Sequence, residues 1–211
     1  GGRKAIRADS PVTMVILSDT LFREALQPLV QWKTRKGFHV VEAYLQDSVV
    51  GQDRGRIRDY LAELYHAPSP GMSPPSYLLI VGDVKHIPLS QASGQVTDLY
   101  YATYDGAGDY IPDLFYGRIS VESPGQLEGV LEKILDYEQF RLPDPSFLGE
   151  SVLIAGVDAA FAQRHGNGQL HYAGSYYLNE ANGNRAHTFF YPESDTSDRK
   201  ILDLISGGVG F

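Results

Sequence analysis

The sequence of 211 residues contains no cysteine, and this absence is the first limit on its chemistry. Disulfide bonds, thiolate metal sites and a cysteine nucleophile are all excluded within these residues. Long apolar runs are also missing. The longest, YLLIVG at 77–82, has the length of a buried strand and falls well short of the roughly 18 residues that a spanning helix needs. We therefore expect no membrane span.

Positive charge is scarce as well. The chain has 18 Lys and Arg against 26 Asp and Glu, a formal net charge of -8 at pH 7. No basic run forms the footprint that a nucleic-acid partner requires. The phosphate-binding loops G-x-G-x-x-G and G-x-x-x-x-G-K-[ST] are absent, as is the G-x-S-x-G elbow. We expect no nucleic-acid partner, and a nucleotide-binding domain stays only a remote alternative.

Short runs rich in branched and aromatic residues recur along the chain and indicate strands. They lie at residues 13–18, 38–45, 76–83, 113–120, 151–158 and 187–192. Between them, apolar residues at helical spacing predict helices over 20–36, over 57–65, and from a capping box that begins at Ser123. Nearly continuous apolar strands that alternate with helices predict an α/β fold, with largely parallel sheets covered on both faces.

Two predicted strands end in a carboxylate. Asp83 follows LLIVG and Asp158 follows VLIAGV. In open α/β sheets, functional groups gather at the carboxyl ends of the strands. Each aspartate is therefore a candidate site residue, although the capping of the following turn is the alternative for both.

The long loop before the fourth predicted strand carries three aspartates at four-residue spacing, Asp105, Asp109 and Asp113. Like charges repel, and the glycine-rich turn DGAGD would bring the first two towards one point. Calcium accepts carboxylates, backbone carbonyls and irregular geometry, and the carbonyl of Ile111 could face the same side. The spacing indicates a calcium site, with a solvated acidic loop as the alternative.

Two longer stretches make the sequence recognisable: YLLIVGDVKHIP at 77–88 and TDLYYATYDGAGDYIPDLFYGRISVESPGQLEGVLEKILDYE at 97–138. Together they resemble the gingipain family of cysteine peptidases, secreted bacterial endopeptidases with a caspase-like fold. The resemblance implies a three-layer α/β architecture with two adjacent subdomains, the first over 1–88 and an incomplete second over 89–211. It also implies a protein or peptide substrate and a location outside the cell or on the bacterial cell surface.

The resemblance further implies a structural calcium in the acidic loop. Asp109, the Ile111 carbonyl and Asp113 fall on the family's motif, with Asp105 or Gly106 close to a further ligand position.

The same resemblance implies roles at the end of the predicted strand 151–158, the first long strand after the helix that ends in YE. Asp158 is expected to orient the catalytic histidine, and the loop that follows is expected to line the substrate cleft. Arginine-specific relatives carry an acid in that loop, where this chain has Gly168 or Gln169. No acid occurs between Asp158 and Glu180, so strict arginine specificity is not expected.

The catalytic cysteine and histidine of the family are not found among these residues. The histidine belongs to a Gly-His-Gly motif after a strand of the type GGVGF, and it is expected about six residues beyond Phe211. None of the six histidines lies in that motif: His39, His66, His86, His165, His171 and His187. We therefore expect this chain alone to be inactive and to require the remainder of its own catalytic domain. The alternative is a calcium-stabilised pseudopeptidase that binds partners on the same fold.

Overall fold

The computed structural model describes most of the chain, namely residues 11–92, 95–106, 108–155, 161–191 and 198–210. The chain separates into two compact units, Gly1–Gln139 and Phe140–Phe211.

The first unit is built on a parallel sheet. Its strands are β1 (Thr13–Ser18), β2 (His39–Tyr44), β3 (Pro75–Val81), β4 (Ser90–Ala92), β5 (Gln95–Thr97) and β6 (Phe115–Ile119). Four of them form the sheet in the order β2-β1-β3-β6, and β4 and β5 form a separate antiparallel pair. All six residues of β1 are buried, because this strand has a neighbour on each side and a helical layer on each face.

Three helices cover this sheet, and their ends follow local capping chemistry. They are α1 (Arg23–Arg35), α2 (Arg54–His66) and α3 (Pro124–Glu138). Asp53 caps α2 by accepting a hydrogen bond from the Arg56 amide at 3.0 Å. Ser123 caps α3 in the same way, with the Gln126 amide as the donor at 3.4 Å. The Gln126 side chain accepts from the amide of Glu122, so the predicted capping box closes one residue earlier than expected.

The core has two parts, one on each face of the sheet. On one face, Ile57 and Leu61 of α2 pack with Leu78 and Ile80 of β3. On the other face, apolar residues of α1 and α3 pack against β1 and the end of β3: Met14, Ile16, Leu26, Leu29, Val81, Leu127 and Leu131. This arrangement of helix, sheet and helix confirms the three-layer α/β class predicted from the sequence.

The division into units differs from the boundary predicted after Pro88. The strand β6 lies beside β3 in the first sheet, with Tyr77 opposite Phe115. The helix α3 then returns over the same sheet and packs on α1. Residues up to Gln139 therefore share the first core, and the compact units divide there.

The second unit contains a strand–helix–strand element followed by a further helix. Its elements are β7 (Glu150–Ala155), α4 (Gly168–Tyr176), β8 (Arg185–Phe190) and α5 (Asp198–Gly207). The two strands are parallel, and Glu150 lies opposite Arg185. Leu153 and Phe190 are buried in this unit.

Candidate functional site

The carboxyl ends of β7 and β8 define the edge where the sequence predicts catalytic chemistry. The amide of Tyr191 donates to the carbonyl of Ala155 at 3.1 Å, so the pairing continues one residue past β8. The predicted catalytic residue Asp158 follows Ala155 by three positions and lies outside the described residues.

The predicted substrate-binding residues lie at the start of α4. Both Gly168 and Gln169 are exposed in the first turn of this helix. The residue before them, Asn167, is only 1% exposed. Its amide nitrogen Nδ2 donates to the carbonyl of Tyr191 at 3.0 Å. This hydrogen bond joins the start of α4 to the carboxyl end of β8.

The residues before α4 form a π-helix over Ala162–Asn167. This conformation is rare and is frequent at functional sites. Neither the π-helix nor Asn167 was predicted from the sequence, because hydrophobic spacing does not distinguish one wider turn from an ordinary helical turn. The pair of glycines around Asn167, in the sequence GNG, is the only local signal of unusual backbone.

A further segment approaches β7 after α5. The amide of Gly210 donates to the carbonyl of Glu150 at 2.9 Å. Carbonyls of successive strand residues point to alternate edges, and Glu150 and Ala155 are five positions apart. Because Ala155 bonds towards β8, the Glu150 carbonyl points to the opposite edge of β7. The amide of Gly210 therefore bonds to the edge of β7 that lies away from β8.

Two glycines of this segment, Gly208 and Gly210, are required by its geometry. A Cβ atom on Gly210 would lie 2.8 Å from Cα of Leu148 and 2.9 Å from the carbonyl oxygen of Phe147, both backbone atoms. Gly208 has a φ of 99°, a left-handed conformation that favours glycine. The motif GGVGF thus brings the backbone close enough to bond with β7.

The chain contacts both edges of β7, which is the arrangement found at a topological switch point. The chain runs from β7 to β8 on one side of β7 and returns to the other side at Gly210. In open α/β sheets, ligands bind beyond the carboxyl ends of the strands at such a point. Asp158 follows the carboxyl end of β7 by three positions in the sequence.

In the first unit, the acidic loop is held by its own carboxylates. Asp113 Oδ2 accepts from the amide of Tyr104 at 2.7 Å, and the Asp113 amide donates to the carbonyl of Ala102 at 2.8 Å. Asp109 Oδ1 accepts from the amide of Ile111 at 2.9 Å. Asp113 therefore closes the base of the loop, and Asp109 forms a local turn.

A metal ion fits only part of this loop. Asp109 Oδ2 is buried without a hydrogen-bond partner, which is costly for a carboxylate oxygen and which a cation would relieve. Asp105 is exposed, and so is Ile111. No group of three His, Cys, Asp or Glu side chains able to hold a metal occurs among the described residues. Backbone carbonyls would have to supply most of the ligands.

The base of the loop is tied to the sheet by an ion pair. Arg118 of β6 contacts both carboxylate oxygens of Asp98, at 2.8 and 2.7 Å, and donates to the carbonyl of Gly82 at 2.7 Å. Both side chains are about nine-tenths buried. The arginine of the FYGR signature thus has a structural role in this unit.

Asp83 caps a turn, which was the alternative to a functional role. Its Oδ1 accepts from the Val84 amide at 2.6 Å and from the Ser120 hydroxyl at 3.3 Å. The bond from the Val84 amide is the main reason why the pKa of Asp83 is lowered. The preceding Gly82 has a φ of 129°, and a Cβ there would lie 3.1 Å from Cβ of His86. The VGD motif therefore makes a tight turn after β3.

Comparison with known proteins gives a consistent result. The sequence model of "Peptidase family C25" matches residues 7–211. Lys-gingipain of Porphyromonas gingivalis is 32% identical over 205 residues, which are 96% of this chain and 12% of the relative. A solved structure titled as a protease has a TM-score of 0.84 at 31% identity and covers 94% of this chain and 43% of its own. The Arg-specific cysteine proteinase gingipain R has a TM-score of 0.77 at 20% identity, with 99% and 47% covered. The chain thus spans about an eighth of the curated relative and less than half of each solved chain.

Proposed function

Because the chain belongs to peptidase family C25, we propose that it forms the amino-terminal part of a secreted cysteine endopeptidase that cleaves proteins or peptides. The cysteine and histidine of the reaction belong to the chain beyond Phe211. In this proposal Asp158 is the one catalytic residue that the present sequence supplies.

The observation that carries the proposal is the hydrogen bond from Gly210 to Glu150. In the parallel pairs of this fold, an amide bonds the carbonyl that precedes its opposite residue: Tyr191 bonds Ala155, and Phe190 lies opposite Ala155. By the same rule Gly210 lies opposite Ser151. If both strands continue in this register, the sixth residue after Phe211 lies opposite position 158. This is where the resemblance to the family expects the catalytic histidine.

The chemistry follows from these positions. The cysteine thiolate attacks the carbonyl carbon of the scissile peptide bond, and the histidine protonates the departing amine. Water then releases the acyl group from sulfur, with the histidine accepting its proton. Asp158 accepts a hydrogen bond from the other imidazole nitrogen, which fixes the tautomer and stabilises the imidazolium form.

The test of this function uses the complete peptidase domain. Asp158→Asn should lower kcat by roughly 10- to 10⁴-fold and leave KM nearly unchanged, because the lost interaction acts on the imidazolium of the transition state. Asp203→Asn, an exposed change on α5, is the control and should leave both constants unchanged. If the complete domain cleaves no peptide, the protein is a binding or scaffold domain; if Asp158→Asn turns over normally, Asp158 has no catalytic role.

Substrate recognition is proposed at the start of α4. Gly168 and Gln169 are exposed there, and neither carries a charge that could pair with a substrate guanidinium. Specificity for arginine would need an acid from another segment. Cleavage of a peptide library, read by mass spectrometry, measures this preference directly.

We further propose a structural calcium in the acidic loop. The buried, unpartnered Oδ2 of Asp109 would bind it, together with the carbonyl of Ile111 and with Asp113 or Asp105. Ligand binding at a hundredfold excess over Kd stabilises a fold by about 2.7 kcal/mol. Millimolar calcium should therefore raise the melting temperature relative to chelator, and Asp109→Asn should abolish the shift. Equal melting temperatures in calcium and chelator would remove the site.

The proposed location is extracellular or on the bacterial cell surface. Among the described residues, no helix has the length and apolar character needed to cross a membrane.

The proposed partner is the remainder of the catalytic domain. Leu202 and Ile205 of α5 are 60% and 49% exposed, and the Gly210 amide bonds to the edge of β7 at Glu150, so we propose that further chain covers these surfaces. Limited proteolysis of the present chain and of the complete domain tests this.

A further inference from the structure

We propose that Asn167 is a positioning residue for substrate binding: it fixes the start of α4, with Gly168 and Gln169, against the carboxyl edge of β7 and β8. This inference rests on the proposed peptidase function, because that edge holds the catalytic groups only in such an enzyme.

The contacts of Asn167 support this role. It is 1% exposed, whereas the next two residues are exposed. Its Nδ2 donates to the carbonyl of Tyr191, and the amide of Tyr191 donates to Ala155 at the end of β7. Two consecutive hydrogen bonds therefore connect the start of α4 with the ends of both strands.

The conformation at Asn167 points to the same function. It is the last residue of the π-helix Ala162–Asn167, whose wider turn leads directly into α4. Asn167 has helical dihedral angles, φ −58° and ψ −42°, so the π-helix continues into α4 without a cap at this residue. The Nδ2 atom of Asn167 bonds to the strand end, so this bond contributes to tertiary position.

The consequence for catalysis is specific to substrate binding. Asn167 is buried, so its effect on the substrate passes through the exposed residues that follow it. Some interactions bind the substrate equally strongly in the ground state and in the transition state. Their loss raises KM and leaves kcat unchanged. Asn167→Ala in the complete peptidase should therefore raise KM about tenfold, with kcat within about twofold of the parent.

The chain offers a matched control at the other end of α4. Asn179 Nδ2 also donates to backbone carbonyls, those of Gly174 and Ser175, at 3.3 and 3.0 Å. Its Oδ1 accepts from the Asn182 amide at 3.1 Å, so Asn179→Ala also removes hydrogen bonds, here away from the strand ends. It should lower thermal stability at least as much as Asn167→Ala does and leave KM unchanged.

Two further measurements distinguish the positioning role of the Asn167 hydrogen bond from the effect of its side-chain volume and from a general loss of stability. Asn167→Leu keeps the side-chain volume without the N–H donor, and it should raise KM as Asn167→Ala does. Hydrogen exchange of the complete domain should accelerate at residues 168–170 in both Asn167 variants, and exchange in β7 should not change. This readout needs no activity, so it also tests the inference in an inactive protein. A KM for Asn167→Ala equal to that of Asn179→Ala, or unchanged exchange at 168–170, would overturn the inference.

Discussion

Replacement of Glu138 by glutamine should destabilise the first unit in a pH-dependent way. The carboxylate of Glu138, at the end of α3, accepts hydrogen bonds from three side chains at the carboxyl end of α1. Trp32 Nε1 lies at 2.8 Å, Lys33 Nζ at 2.5 Å and Lys36 Nζ at 3.0 Å. This cluster joins the carboxyl ends of two helices that share the same face of the sheet.

The magnitude follows from the pKa of Glu138. Burial favours the protonated form, but the bonds from Lys33, Lys36 and Trp32 outweigh it and lower the pKa from 4.5 to about 2. Because one pKa unit corresponds to 1.36 kcal/mol, the shift sets an upper limit of about 3 kcal/mol. Glu138 is 20% exposed and Lys36 is 40% exposed, so solvent weakens the interaction. We expect the loss in Glu138→Gln to be about 1–2 kcal/mol at pH 7.

The sign of the pH dependence is fixed by the direction of the shift. A carboxyl with a lowered pKa in the folded state contributes its full stability above the unfolded pKa, here 4.5. That contribution declines as the pH falls from 4.5 to about 2. The difference in unfolding free energy between the parent and Glu138→Gln should therefore be largest at neutral pH and should disappear near pH 2.

The assay is denaturant unfolding followed by fluorescence of Trp32, the one tryptophan of the chain. Trp32 lies in the cluster itself, so the signal reports the first unit. The control is Glu132→Gln on the exposed side of α3, which changes the same charge. If the two variants have equal stability at pH 7, or if Glu138→Gln loses the same free energy at pH 2.5 and pH 7, the argument is wrong.

Three other predictions test other parts of the structure. The present chain alone should show no amidase activity, since it lacks the cysteine; activity that a point mutation in this chain removes would contradict this. Gly210→Ala should destabilise the second unit by about 1–3 kcal/mol, because its Cβ meets backbone atoms, whereas Gly207→Ala, with open space around it, should not. Arg118→Lys should cost about 2 kcal/mol in thermal unfolding, because a lysine cannot bond both oxygens of Asp98 and the Gly82 carbonyl; an unchanged melting temperature would show that the pair is not structural.

Local chemistry was enough to predict most elements of the fold. The cap at Ser123 and the apolar spacing after it predicted α3, and the structure confirms the helix from Pro124. The helix predicted over 20–36 is also confirmed, as a short 3-10 turn followed by α1. Pro28 lies inside α1 without ending it, because packing of Leu26 and Leu29 against the sheet outweighs the missing hydrogen bond.

Long-range pairing could not be predicted in the same way. The strand β6 has the same apolar character whichever sheet it joins, and only its pairing with β3 places it in the first unit. The sequence therefore suggested a division after Pro88 where the structure has one after Gln139. Strand partners depend on the path of the whole chain, which local composition does not record.

The same limit applies to the candidate site: local sequence patterns predicted some of its residues, and residues with long-range contacts were not predicted. Acids after apolar strands were visible as Asp83 and Asp158, but the sequence could not separate a turn cap from a catalytic residue. The hydrogen bonds of Asp83 now account for it as a cap. Asn167 was not predicted, because its side chain bonds to a carbonyl 24 residues further along the chain.

Residues of the two stretches that resemble the family have contacts within the scaffold. Arg118 and Glu138 hold the loop and helices of the first unit through ion pairs. Gly210 acts closer to the proposed reaction. The absence of a side chain lets its amide reach Glu150. In the proposed function, that bond sets the register of the strand expected to follow on β7. Because side chains alternate between the faces of a sheet, a shift of one residue would turn the expected histidine to the wrong face. In the proposed mechanism, the alignment of Asp158 with the histidine therefore begins at Gly210, seven positions before the expected histidine.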